Sequence, residues 1–270
     1  MTRQTIRSAV RKTTLLSLIL TLALSFSSLR ATGQARPDAV VVKGIVEAKA
    51  RLQSAVDGWD ARLMAEARDL FLGCLLRDRS GNAHLPYYVA LADYSLATYH
   101  LAEGNAAESD TRIAEGEAYL DKALQAAPEF GEALALYGYL LGIEIANHPD
   151  RAMTLGMKSF EYFDRAQAAD GSNPRILLLR GIYQLYVPEA FGGGPDSALE
   201  YLDKAIALFE KESVADPLLP SWGRDEALTN AALAHKQKGN SAKAVELLKS
   251  ALAVNPRSGR ARGELAAIEK

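Results

Sequence analysis

Helix breakers return along this chain at a nearly regular interval, and that recurrence restricts the fold more than any other feature. Gly81, Pro128 and Pro174 stand 47 and 46 positions apart, and Pro220 and Pro256 stand 36 apart. Between the breakers apolar residues recur at helical spacing. Leu96, Tyr99, His100 and Glu103 fall on successive turns, as do Tyr119, Ala123 and Ala126, and hardly any stretch alternates with period two. Ala, Leu, Glu and Lys dominate, in keeping with helix. Each interval splits again in its middle. His148-Pro149-Asp150-Arg151-Ala152 and Gly194-Pro195-Asp196-Ser197-Ala198 both offer proline to a first helical turn, where its missing N–H has no intrahelical partner. Gly104-Asn105 and Gly239-Asn240 join a glycine helix stop to an asparagine cap. The pattern predicts an all-α, right-handed superhelical array of antiparallel helix pairs over residues 81–258. A less regular capping pair is predicted over 36–80, and a helical tail over 259–270.

With the helix-turn-helix unit appearing four times, the chain resembles the tetratricopeptide repeat (TPR) family. Asp225 to Ser258 carries the clearest copy. Leu228, Ala232 and His235 take the first-helix slots, Gly239 the turn, Ala244, Leu248 and Ala251 the second-helix slots, and Pro256 the terminator. In the preceding copy Gly181 stands in the small first-helix slot and Ala198, Leu202 and Ala205 in the second helix. There Val187 to Gly194 lengthen the turn. Gly138 with Ala152 marks another copy, and Leu120 to Pro128 match only the tail of one. Small residues at such positions permit close helix approach, with leucine filling the space beside them.

The first 35 residues read as a secretory leader. Arg3, Arg7, Arg11 and Lys12 form a basic head, followed by the apolar run Thr13 to Leu29 and by small residues at Gly33 and Ala35. Cleavage is expected before Arg36, with export to a periplasm or the exterior; an uncleaved membrane anchor is the alternative. No cysteine lies near the end of the apolar run, so lipid anchoring is not expected. Loss of the leader takes five positive charges and moves the formal charge from −2 to −7. An acidic body without a Lys/Arg-rich run is poorly matched to nucleic acid or to anionic membrane surfaces.

Chemistry-bearing motifs are few. The single cysteine, Cys74, admits no intrachain disulfide and no cysteine-based zinc cluster. No two of the four histidines have the i, i+4 spacing of a helical metal pair. Gly192-Gly193-Gly194 lacks the Gly-Lys-Ser/Thr ending of a phosphate loop and follows a helix. The carboxylates fall in no catalytic motif, so neither catalysis nor a cofactor is expected. The candidates are instead binding residues. The lengthened, aromatic turn has eight residues, among them three consecutive glycines that are costly to order, and it is expected to place Tyr186 and Phe191 beside a groove or cavity shared with Tyr139 and Tyr183. The TPR resemblance adds Thr229, Asn230, Leu233, Lys236 and Gln237 as groove residues, with Asn230 and Lys236 able to hold a peptide carboxylate. The function this implies is presentation of a concave groove to a protein or peptide. The alternative is an accessory of a solute transport system with a small organic ligand in an inter-helix cavity, similar to the T components of tripartite periplasmic transporters.

Overall fold

The computed structural model describes residues 35–269. The leader reading therefore lies outside the described residues except for Ala35. Among the described residues there are eleven α-helices and no strand: α1 Ala39–Gly58, α2 Ala61–Arg77, α3 His84–Ala102, α4 Ala106–Ala126, α5 Gly131–Asn147, α6 Ala152–Asp170, α7 Pro174–Tyr186, α8 Pro195–Phe209, α9 Arg224–Gln237, α10 Ser241–Val254 and α11 Gly259–Ile268. None of them is long and apolar enough to cross a membrane.

Local chemistry sets most of these ends. The side chains of Asp38, Asp60, Asn105, Asn173 and Ser258 accept hydrogen bonds from free N–H groups in the first turns of α1, α2, α4, α7 and α11. Pro174 and Pro195 open α7 and α8. Gly104 and Gly239, at φ 72° and 77°, allow the left-handed turn that reverses the chain within a pair.

The helices pack as consecutive pairs, and the first helices α3, α5, α7 and α9 also touch in series. Small residues sit where the pairs come closest. A Cβ on Gly181 would lie 2.7 Å from Leu202 and 3.3 Å from the Ala198 carbonyl, while one on Gly138 would meet Phe163 and the Ser159 carbonyl. Ala205 and Ala251 are fully buried. Two pairs are tied by the same device, a buried serine of the second helix donating to a first-helix carbonyl: Ser109 to Ala97 at 3.1 Å and Ser159 to Gly138 at 2.6 Å. Cys74 is a buried thiol, with Gly44 of α1 packed against its sulfur.

One core runs through α1 to α7 and a second through α7 to α11, and Tyr139 and Trp222 pack against both. The array does not stay open. Its last helix, α11, returns to contact α1, and a Cβ on Gly259 would come within 2.7 Å of the Asp57 carbonyl.

Candidate functional site

Closure of the array leaves a cavity of about 1710 Å³ bounded by α1, α2, α3, α5, the start of α6, the end of α7, the approach to α9 and the start of α11. Its wall is mostly apolar. Val46, Trp59, Met153, Met157, Tyr186 and Phe191 all line it, and all six are solvent-exposed despite their size. Clustering of exposed large apolar side chains on one surface is unusual for a soluble chain unless something covers them. Trp59 is also the one non-glycine residue with positive φ among the described residues, at 53°. It caps α1 in a conformation that is costly for a bulky side chain and sets its ring 5.3 Å from Tyr99.

The enlarged turn is an ordered structure. After Tyr186 the chain makes a short 3₁₀ turn over Glu189–Phe191, and the Gly194 N–H donates back to Gln184 at 2.9 Å. Gly193 lies so close to Val187 that a Cβ would sit 2.2 Å from its carbonyl oxygen. The glycines thus fold the turn tightly on itself and leave Phe191 on the cavity side, 66% exposed. Tyr139, Tyr183, Tyr186 and Phe191 line this one cavity. Tyr183 is nearly buried, packed edge-on against Phe160 and beside Gly142, where a Cβ would be 2.8 Å from its ring.

The α9 candidates separate. Thr229 reaches the cavity, with its hydroxyl donating to the Asp225 carbonyl at 2.8 Å. Asn230 is fully buried: its amide donates to the Glu226 carbonyl at 2.8 Å and its oxygen accepts from Arg260 at 3.1 Å. Leu233 packs on the second core, Lys236 pairs with Glu264 at 3.0 Å, and Gln237 is exposed. Asn230 and Lys236 are therefore committed to different partners and do not converge on one carboxylate position.

Two parts of the site are not evident in the sequence. The first is the connection over residues 210–223, which lies across α1 and α3 as a strap. Arg36 grips Asp216 with two hydrogen bonds of 2.9 and 3.1 Å. Lys49 donates to the Pro217 and Leu219 carbonyls at 3.1 and 2.7 Å, and the buried Tyr88 hydroxyl donates to the Leu218 carbonyl at 2.7 Å. Trp222 then donates to the Tyr87 hydroxyl at 3.1 Å, which itself donates to the buried Glu132. Arg175 fixes the strap's start by a two-pronged bond to Glu212 at 2.6 and 2.9 Å. The available signal was length, since 14 residues joining two helices is long for a bundle.

The second is the polar end of the cavity, lined by Arg260 from α11, Glu226 from α9 and the tyrosines Tyr94, Tyr139 and Tyr186, all of which act on the Arg260 charge. The Tyr94 hydroxyl donates to Glu226 at 2.9 Å. Burial pushes the Glu226 carboxyl above its ordinary range, against the opposing pull of Arg260 and the Tyr94 hydroxyl. Burial works against the Arg260 charge, but Glu226 and the surrounding tyrosines outweigh it and hold its pKa above the usual value. Arg260 is itself an exposed residue, open to solvent through the cavity that it lines.

No protein-family model matches the sequence. None of the curated proteins matches it either. Among solved structures, the HusA haemophore from Porphyromonas gingivalis superposes with a TM-score of 0.61 at 24% identity, over 73% of this chain and 92% of that one. A thermophilic TPR protein in Thermus thermophilus gives a TM-score of 0.51 at 16% identity, over 82% of this chain and 98% of that one. The paired helices, the small-residue contacts inside each pair and these two superpositions give the chain a tetratricopeptide-type α-solenoid fold.

Proposed function

We propose that this protein is an exported binding protein that encloses a large, flat, mainly apolar organic ligand, of porphyrin type, in the central cavity. The observation that carries the reading is the set of six exposed large apolar side chains facing that cavity. The volume of about 1710 Å³ exceeds the roughly 300–1,000 Å³ of ordinary small-molecule pockets. Flat aromatic rings and adaptable thioethers suit an extended π-system. The neighbour from Porphyromonas gingivalis is described as a haemophore; at its level of identity it supports the fold, and the ligand class is argued from the cavity's own chemistry.

Of the two functions the sequence allows, a groove for a peptide and a cavity for a small organic ligand, the geometry supports the second. The strap lies across α1 and α3, on the inner face along which a peptide would have to run. Export is proposed on the basic head and apolar run alone, and no catalytic role is proposed.

Titration of the protein with protoporphyrin IX, followed by visible absorption, tests the reading. Saturable binding that weakens in Tyr186→Ser and Phe191→Ser supports it. Absence of porphyrin binding, together with capture of a peptide that Lys236→Ala abolishes, returns the function to the groove.

A further inference from the structure

We infer that the polar end of the cavity receives a carboxylate of the ligand, with Arg260 as its charged donor and the Tyr139 and Tyr186 hydroxyls beside it. The inference rests on the reading of the cavity as a ligand site and specifies what that ligand must carry.

Most charges along the cavity are already engaged. Lys49 is spent on two strap carbonyls, and Arg262 donates to the Pro256 and Arg257 carbonyls. Asp57 and Asp225 share the Asn255 amide. Arg260 differs. Among the described residues its guanidinium makes one hydrogen bond, to Asn230 at 3.1 Å, although the group carries five N–H donors. It forms no ion pair with Glu226 closer than 4 Å, so the nearby carboxylate supplies field without occupying the donors. Tyr139 of α5 and Tyr186 of α7, which line the same cavity as Arg260 and act electrostatically on its charge, make no side-chain hydrogen bond among the described residues.

A planar fork of N–H donors with two phenol O–H groups beside it, at one end of an apolar cavity, matches a planar acceptor. A carboxylate meets that description and takes two parallel N–H bonds from arginine. Glu226 narrows the choice further. A doubly charged phosphate would face its negative charge at close range, whereas a monoanion meets less repulsion. Asn230 is a positioning residue here: held by the Glu226 carbonyl, it turns its oxygen to Arg260 and fixes the guanidinium.

The test compares protoporphyrin IX with its dimethyl ester on the full protein, since the two share one ring and differ in charge. The acid is expected to bind about tenfold or more tightly than the ester, the size of a charge-assisted hydrogen bond. Arg260→Gln is expected to bring the acid down to the ester's affinity while leaving the ester unchanged. Glu226→Gln, which removes the like charge, is expected to tighten the acid alone. If Arg260→Gln does not fold, Arg260→Lys and Glu226→Gln carry the comparison with the ester as internal reference. Equal binding of acid and ester in the native protein, or an equal loss of both in Arg260→Gln, overturns the carboxylate inference while leaving the cavity reading in place. Binding of neither compound overturns both.

Discussion

The Asn255 amide, just past α10, donates at 2.7 Å to the Asp57 carboxylate near the end of α1, joining positions 198 apart in the chain. The same amide donates to Asp225 at 2.8 Å, so one side chain ties the first helix, the last repeat and the turn into α11. Asp57 is buried and also accepts from Gln53 at 2.9 Å. This contact helps hold the end of the array against its first helix, beside the cavity that both line.

Asn255→Ala should therefore act on the whole fold. It leaves two largely buried carboxylates without their common donor, and the expected cost is about 1–3 kcal/mol. Urea unfolding measures it. A midpoint equal to that of the native protein would mean that this hydrogen-bonded link adds nothing to stability.

Packing inside the repeats is tested at Ala205 and Ala251, both fully buried where second helices meet their partners. Tryptophan at either position overpacks the contact and should cost on the order of 1–3 kcal/mol or more. Thermal melting of both variants at the native temperature would show the repeat register to be misplaced.

The turn over residues 187–194 should separate stability from binding. Tyr186 and Phe191 are 64% and 66% exposed, so Tyr186→Ser and Phe191→Ser are expected to shift stability by no more than about 0.5 kcal/mol while weakening ligand capture. Replacing the whole turn by Gly-Asn removes this part of the wall. Capture that is unchanged, or that falls only as the protein unfolds, contradicts a role for this turn in the site.

Acid should weaken the protein through His84. Burial holds this imidazole at about 4, below its ordinary 6.5, with Asp216 opposing and Lys49 assisting. The unfolded chain thus binds more protons than the folded one between about pH 6.5 and pH 4, and stability falls as pH drops through that window. The His84 contribution between pH 7 and pH 5 is on the order of 1–2 kcal/mol. Comparison of unfolding at the two pH values with that of His84→Gln checks it. The variant should show a smaller loss than the native protein, and equal losses would contradict the assignment.

Helix ends were legible in the sequence because they are local. Gly104 with Asn105, Asn173 with Pro174 and Gly194 with Pro195 each set a stop or a start within a few residues. The turn at 187–194 stood out because its length and aromatic content exceed what a connection needs. Arg260 and the strap were not legible for the opposite reason. Arg260 lies in a stretch that reads as a helical tail, and only the return of α11 to α1 carries it into the cavity. Pro217 and Pro220 mark a break in helix but not what the break lies against, since Lys49 and Tyr88 are more than a hundred positions away. Asn230 reads as a groove residue from its place in the repeat, yet the same closure makes it a buried partner of Arg260.

The central claim, that a flat ligand sits inside the cavity, is tested most directly through the methionine methyl groups. Apart from Met1, the methionines are Met64, Met153 and Met157, and all three line the cavity. In protein labelled with ¹³C at the methionine methyls, metal-free protoporphyrin IX would shift nearby signals by its ring current, which acts over short distances. Saturable shifts of Met153 and Met157, assigned by Met153→Leu and Met157→Leu, are the expected result. Saturable porphyrin binding with all three methyl signals unmoved would place the ligand elsewhere and contradict the account.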